Sequence, residues 1–302
     1  MPDLVRDRTF EVGGVGFGDG FPMEIDADGF TPGQGAWRTQ DVPHPQGDGA
    51  IPGRDYIDAG VWAFNLWTNG YSEAEALAIA AELRNVWPRE EIRDTPFALE
   101  ALRYRLGGHT RRIYGRARRW TPSGFHLAAL TGKLLINADF EQMHPTFFDD
   151  VEQMVSVDQT PILAGQGLKS PLKSPVRTDY GSTPRQGGIN VQGDRATWPV
   201  LEFQGGVNPT VRIVRVDANG VPLDTWSCRV LLSLNWDEVV TVDTRPWVRS
   251  STLNGSFAPL SRSSRLQQMM LKPGRHLAYF SQDASLSPAS VRVRWRNAHS
   301  SI

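Results

Sequence analysis

The chain has 302 residues and a mass of 33.6 kDa, a length that favours two domains. Its 32 Lys plus Arg and 33 Asp plus Glu give a net charge of −1, which excludes a global basic field that would draw the protein to nucleic acid or anionic lipid. A hydrophobic fraction of 40% excludes a chain disordered throughout, and the 29 Gly and 21 Pro favour many turns and hence a β-rich protein.

The earliest segment with clear structure is a helix after residue 70. Residues 10–60 are rich in Gly, with short apolar pieces between turns, and this pattern predicts strands and loops. Ser72 and Glu75 then form a capping box, and Pro88 marks the end of a helix. The apolar residues between them recur with a 3.6-residue period, so we expect one helix lying against a sheet. They are Ala76, Ile79, Ala80, Leu83, Val86 and Trp87.

After this helix the apolar period changes to two, which is typical of strands. Residues 102–106 alternate Leu or Tyr with Arg, and Gly107-Gly108 predicts a turn into a second strand over residues 113–120. A further strand covers residues 134–141. The first domain is expected to end near Asp150, giving domains at 1–150 and 151–302.

The second half begins with a segment that has no periodicity. Residues 158–188 are rich in Pro, Gly, Ser, Lys and Arg, which predicts a long loop or linker. From Ile189 onward, short strands separated by turns favour a β-sandwich, and the chain as a whole is predicted to be mainly β.

The sequence contains no recognisable catalytic or metal-binding pattern. The lone Cys228 excludes an intrachain disulfide and a thiolate metal cage, and no His has an i, i+4 His partner. No G-x-S-x-G elbow surrounds a Ser. No secretory segment or 18-residue apolar run is present. We therefore predict no enzyme, no cofactor, no metal site and no membrane insertion, in a protein made in the cytoplasm.

Charge is distributed unevenly along the chain. Residues 1–60 contain eleven acidic residues and four Arg, whereas residues 101–120 contain seven Arg and no acid. Either the two charged faces cancel within one subunit, or the acidic face of one copy meets the basic hairpin of the next and closes a ring. Under the second hypothesis the interface residues are Arg103, Arg105, Arg111, Arg112, Arg116 and Arg118. Nucleic-acid binding is a third interpretation, because Tyr104, Tyr114 and Trp120 are interleaved with these Arg, although the near-zero net charge disfavours it.

Several linked motifs in the second half resemble one known family. Residues 189–209 contain an Asn-x-Gln-Gly-Asp segment that leads to Gly205-Gly206-Val207-Asn208-Pro209. Val242-Asp243-Thr244-Arg245 is followed by Asn254-Gly255, then by a Leu-x-Pro-Gly turn at residues 271–274 with His276 where the family usually has Asn, and finally by Trp295-Arg296. In this order and spacing, residues 189–297 are similar to the distal tail proteins of long-tailed bacteriophages. The first half resembles that family's ring-forming domain more loosely, with His144-Pro145 where the family has Asp-Pro.

The resemblance implies an N-terminal tail-tube-like β domain with one α-helix and a C-terminal galectin-like β-sandwich. It further implies a structural virion component, assembled in the host cytoplasm, that forms a hexameric ring at the tail tip. This ring would connect the tail tube protein to hub or fibre proteins and let DNA pass without specific binding.

Two other functions remain open from the sequence. A carbohydrate-binding adsorption module that recognises host cell-surface glycans would use exposed Trp among the ten in the chain, although most Trp in sandwiches are core residues. A cell-wall hydrolase would require an acid/base pair, for which the sequence offers no fixed arrangement.

Overall fold

The structure, a computed structural model, describes residues 3–33, 35–159, 186–283 and 288–302. It is mainly β, with 53% strand and 11% helix, as the sequence predicts. The chain divides into two compact units, one of Met1–Val151 with His299–Ile302 and the other of Glu152–Ala298. The predicted linker covers residues 158–188, and residues 160–185 of it lie outside the described residues.

The first unit has strands, three helices and a short returning strand from the C-terminus. They are β1 (Thr9–Val12), β2 (Val15–Gly18), β3 (Met23–Thr31), β4 (Trp37–Arg38), β5 (Val42–Pro43), β6 (Ala50–Ile51), β7 (Tyr56–Ile57), β8 (Gly60–Thr68), α1 (Glu73–Val86), α2 (Glu90–Asp94), β9 (Glu100–Leu106), β10 (His109–Ser123), α3 (Phe125–Thr131), β11 (Leu135–Gln142) and β12 (Phe147–Asp149). Its main sheet is antiparallel, in the order β2-β1-β9-β10-β11-β8-β3, and β12 pairs with β10.

An aromatic cluster fills the core beneath this sheet. Phe10 of β1 stacks on Phe17 of β2 with ring centroids 5.4 Å apart, and Phe64 of β8 meets Phe10 edge-on at 5.1 Å. Trp87, just after α1, contacts Phe17 and Phe64 at about 6 Å and is fully buried. Burying such large side chains in offset and edge-on contacts is the main source of stability here.

The predicted helix is α1, and its ends have the expected physical causes. The Ser72 Oγ accepts a hydrogen bond from the Glu75 backbone N–H at 3.2 Å, while the Glu75 carboxylate accepts one from the Tyr71 N–H at 2.8 Å. Ala76, Ala80 and Leu83 of the predicted apolar stripe are buried against the sheet. The short helices α2 and α3 were not predicted, because five and seven residues are too few to show a 3.6-residue period.

The predicted hairpin is β9–β10. Gly107 and Gly108 have φ of +56° and +78°, as a two-residue hairpin turn requires, and Leu106 pairs with His109 on either side of it. The predicted strand after it is β11, whose inward residues Ile136, Ala138 and Phe140 are buried.

The second unit is a sandwich of two antiparallel sheets, as predicted. One sheet has the strand order β13-β22-β15-β18-β19-β20 and the other β14-β21-β16-β17. Phe203 of β15 and Phe280 of β21, one from each sheet, lie in the same buried core. The elements are β13 (Gln153–Gln159), β14 (Gln186–Val191), β15 (Val200–Val207), β16 (Thr210–Val216), β17 (Pro222–Arg229), β18 (Ser233–Asp243), β19 (Ser250–Leu253), β20 (Ser256–Phe257), a 3-10 turn (Leu266–Gln268), β21 (Gly274–Ser281) and β22 (Ala289–Trp295), followed by β23 (Ala298–His299).

The motifs that carry the sequence resemblance lie at turns and joints of this sandwich. Asn254-Gly255 forms the tight turn between β19 and β20, with φ of +50° and +82°. The Thr244 hydroxyl donates to the Pro199 carbonyl at 2.7 Å. His276, which replaces the Asn of the resemblance, is buried and hydrogen-bonds through Nε2 to the Lys272 carbonyl at 2.7 Å. These residues therefore fix turns and joints of the backbone.

Candidate subunit interface

The arginine-rich hairpin places two like charges directly opposite each other. Arg103 of β9 pairs in register with Arg112 of β10, an arrangement that repels unless a carboxylate lies between them. Asp150 provides it: its carboxylate accepts bonds from Arg103 Nε and Nη2 at 2.9 and 2.7 Å and from Arg112 Nε at 3.1 Å. Glu11, opposite Arg103 on β1, forms a further ion pair with it.

We call these four side chains, Glu11, Arg103, Arg112 and Asp150, the ionic cluster. Their side chains are only 3 to 15% exposed. Burial alone would raise the pKa of Asp150, but the hydrogen bonds and positive charges of Arg103 and Arg112 outweigh it and lower that pKa. The hydrogen bond to Asp150 likewise raises the pKa of Arg103. Each charge in the cluster is thus balanced within one chain.

The other predicted interface residues also have partners in their own chain. Arg105 lies 3.5 Å from the Asp7 carboxylate, and Arg118 lies 2.8 Å from that of Glu141. Two others bind backbone carbonyls: Arg111 binds Ser301, and Arg116 binds Thr95 and Ala98. Four of the six predicted arginines, Arg103, Arg105, Arg112 and Arg118, therefore have a carboxylate partner in their own chain, and of these four only Arg118 is exposed.

A second feature of the first unit is a segment that sequence patterns did not distinguish from the loops around it. Residues 35–59, here called the arm, lie between β3 and β8 and form two small ribbons, β4 with β7 and β5 with β6. Each strand has two residues, and none of the arm is buried. Three residues in these strands, Trp37, Val42 and Ile51, have large apolar side chains that are at least half exposed.

Local contacts hold the arm together without giving it a core. The guanidinium groups of Arg38 and Arg54 lie over the Tyr56 ring, 5.5 and 5.4 Å from its centroid. The Asp41 carboxylate accepts a hydrogen bond from the Gly53 N–H at 2.8 Å. An isolated two-stranded ribbon is only marginally stable in water. The signal available in the sequence was apolar residues scattered among Gly, Pro and Asp, a pattern that helix and strand periodicities do not detect.

Two of the ten Trp side chains are largely exposed to solvent. Trp236 is 76% and Trp37 is 67% exposed, whereas the other eight are buried or partly buried. Trp236 lies in an irregular part of β18, where the pairing with β15 shifts between Gln204 and Gly206. Gln204 donates to the Trp236 carbonyl at 3.1 Å and fixes the backbone there.

The described parts of the chain contain no group of three His, Cys, Asp or Glu side chains arranged to hold a metal ion. Nor does any helix in them have the length and apolarity needed to cross a bilayer. Burial raises the pKa of Cys228, a core residue, to about 12 and lowers the pKa of the partly buried His144 to about 4.

Comparison with known proteins gives a match in fold but not in sequence. No protein-family model matches the chain, and neither does any curated protein. The solved structure of the Dit protein of phage SPP1, described as a hub adsorption apparatus protein of phages that infect Gram-positive bacteria, aligns with a TM-score of 0.51 and 14% identity. The alignment covers 96% of this chain and 98% of that one.

A chain of the phage P2 baseplate in its activated conformation with Ca aligns similarly. Its TM-score is 0.52 and its identity 10%, over 95% of this chain and 97% of that one. Both units are thus included in one alignment, which agrees with the resemblance read from the motifs. The chain has the two-unit fold of phage distal tail and baseplate proteins.

Proposed function

We propose that the protein is a structural component of a phage tail tip, of the distal-tail type. The observation that supports this most is the fold similarity over nearly the full length of both this chain and SPP1 Dit. In this role the protein joins the tail tube protein to hub or fibre proteins, is assembled in the host cytoplasm, and catalyses no reaction. Fold alone does not dictate function, so the proposal also needs a surface suited to assembly.

The arm is the surface best suited to contact a neighbouring copy. Its apolar side chains Trp37, Val42 and Ile51 gain about 25 cal/mol for each Å² that a partner covers, and burial would stabilise ribbons that lack a core. A head-to-tail contact closes into a ring when the rotation between neighbouring copies divides a full turn, and we propose a ring of six copies. We propose that the six predicted arginines form the other side of the contact. Arg118 contributes most in this proposal because its side chain is exposed.

The charge distribution is compatible with passage of DNA through such a ring. DNA binding to protein is dominated by unpaired Lys and Arg on phosphates. In the hairpin, Arg103, Arg105, Arg112 and Arg118 are already paired with carboxylates, and the net charge of the chain is −1. We propose that DNA passes through the lumen of such a ring without specific binding.

Native mass spectrometry of the full chain, with negative-stain images, tests the ring. We expect a closed oligomer at micromolar concentration, lost in a combined Trp37→Ser, Val42→Ser, Ile51→Ser variant whose thermal unfolding as a monomer is unchanged. The matched control replaces two exposed apolar residues of the second unit, Val221→Ser and Leu223→Ser, and should assemble normally. Assembly of the arm variant at wild-type levels would refute the arm as the contact, and a wild-type chain that stays monomeric with tail partners present would refute the ring.

A second candidate function is glycan recognition by the second unit, and the exposure of Trp236 favours it. Indole rings stack on the apolar faces of sugars, and Trp236 is not needed for the core. A glycan array probed with the full chain should show saturable binding that Trp236→Ala abolishes and Trp37→Ala retains. Binding that survives Trp236→Ala would remove the support for this candidate.

A further inference from the structure

The second unit contains a pocket of about 500 Å³, a volume within the range of small-molecule sites. It lies where β19 and β20 meet the segment before the 3-10 turn at residues 266–268. Its lining combines two guanidinium groups, one aromatic ring and a row of Ser and Thr hydroxyls. No acidic side chain is among the described residues that line it.

The two guanidinium groups belong to Arg249 and Arg262. Both side chains are exposed, and neither has a carboxylate within 4 Å in the described parts of the chain, in contrast to the ion-paired Arg229 and Arg245 nearby. Arg249 also has a φ of +42°, a left-handed conformation that costs energy for a residue with a side chain. Free guanidinium groups bind carboxylate and phosphate oxygens in pairs of parallel hydrogen bonds, so the pocket favours an anion.

The other lining groups are suited to a sugar. Phe257, on the edge strand β20, is 80% exposed at the pocket and offers an apolar face on which a sugar ring can stack. Ser251 lines the pocket as a nearly fully buried residue, and its Oγ atom has no hydrogen-bond partner among the described residues. An unsatisfied buried hydroxyl is unfavourable unless a further group bonds to it.

The pocket wall is held in place by backbone hydrogen bonds. The Ala258 N–H donates to the Ser251 carbonyl at 2.9 Å, and the Ser261 N–H donates to the Arg229 carbonyl at 2.9 Å. The Ser264 hydroxyl accepts from the Arg229 N–H at 2.9 Å. A wall fixed in this way loses little conformational entropy when a ligand binds.

We propose that this pocket binds an anionic saccharide, a sugar that carries a phosphate or carboxylate group. The guanidinium groups of Arg249 and Arg262 bind the anionic group, Phe257 stacks on the sugar ring, and the Ser and Thr hydroxyls bond to the ring hydroxyls. The inference rests on the second candidate function, sugar recognition by the second unit, and gives it a ligand class and a site distinct from Trp236.

Isothermal titration of the full chain with glucose 1-phosphate and with glucuronic acid tests the proposal. We expect saturable binding of at least one of them that weakens as salt concentration rises, with glucose and inorganic phosphate each binding at least tenfold more weakly. Arg262→Gln and Phe257→Ala should each weaken the binding about tenfold. Arg265→Gln, an exposed arginine outside the pocket, is the matched control and should bind as the wild type does.

Three results would overturn the inference. They are the absence of binding by either anionic sugar, equal binding of inorganic phosphate with no effect of Phe257→Ala, and binding lost only in Trp236→Ala. The last result would still support sugar recognition by the second unit, but at Trp236 instead of this pocket. The measurement of the oligomeric state is independent of all three results. Circular dichroism of each variant establishes that loss of binding is not loss of fold.

Discussion

The ionic cluster makes a sharp prediction about the stability of the first unit. Asp150→Asn removes the charge that separates Arg103 from Arg112 while keeping nearly the same volume. The two guanidinium groups, directly opposite in register and only 12 and 15% exposed, then repel each other without an anion between them. We expect a marked loss of stability with the fold retained.

The magnitude follows from the geometry. Removing one partner of a buried ion pair costs about 3–5 kcal/mol, and the slight exposure of the cluster, together with the remaining Glu11 carboxylate, places the expected cost near the lower limit, at about 3 kcal/mol. For a folding unit of this size, that loss lowers the melting temperature by roughly 6–12 °C. Differential scanning calorimetry and urea titration of the full chain measure it.

The matched control is Glu141→Gln, which breaks the exposed ion pair with Arg118. Exposed pairs contribute about 0.2–1 kcal/mol, so the expected fall in melting temperature is a few degrees at most. If Asp150→Asn and Glu141→Gln lowered the melting temperature equally little, burial would not be the source of the cluster's energy, and the reasoning would fail.

The same residue predicts a pH dependence. Because the pKa of Asp150 is lower in the folded state, its contribution is present above the unfolded value of about 4 and is lost as pH falls through the lower folded value. The Asp150→Asn variant should lose less stability than the wild type on going below pH 4. A parallel acid response in the two proteins would contradict this assignment.

Other measurements test the packing of the first unit and the burial of one histidine. Leu83→Ala, in the buried stripe of α1, should cost about 2–5 kcal/mol in urea titration, whereas Leu77→Ala on the exposed face of the same helix should cost less than about 0.5 kcal/mol. Burial lowers the pKa of His144 to about 4, so stability should fall as pH decreases from about 6.5 towards 4; calorimetry of His144→Gln should show a flatter profile there. Ser72→Ala should lower stability by about 1 kcal/mol through loss of the helix cap, and an unchanged urea midpoint would contradict that role.

Much of the fold could be predicted because local rules and tertiary structure agree at those places. The capping box at Ser72 begins α1, Gly107-Gly108 turns the β9–β10 hairpin, and alternation along residues 134–141 gives β11. Short strands separated by turns after residue 189 likewise indicated the sandwich, since left-handed turn positions favour Gly and Asn.

The candidate sites depended on contacts that local patterns do not encode. The charge distribution along the sequence indicated the arginines. It could not show that Asp150 lies between Arg103 and Arg112, because that arrangement depends on how separate strands align in the sheet. Exposure of Trp236, Phe257 and the apolar residues of the arm is also a tertiary property, since it depends on which surfaces the rest of the chain leaves uncovered. The amino-acid sequence thus determined the elements and their turns, whereas the packing of distant segments decided which charges are neutralised and which surfaces remain available for binding.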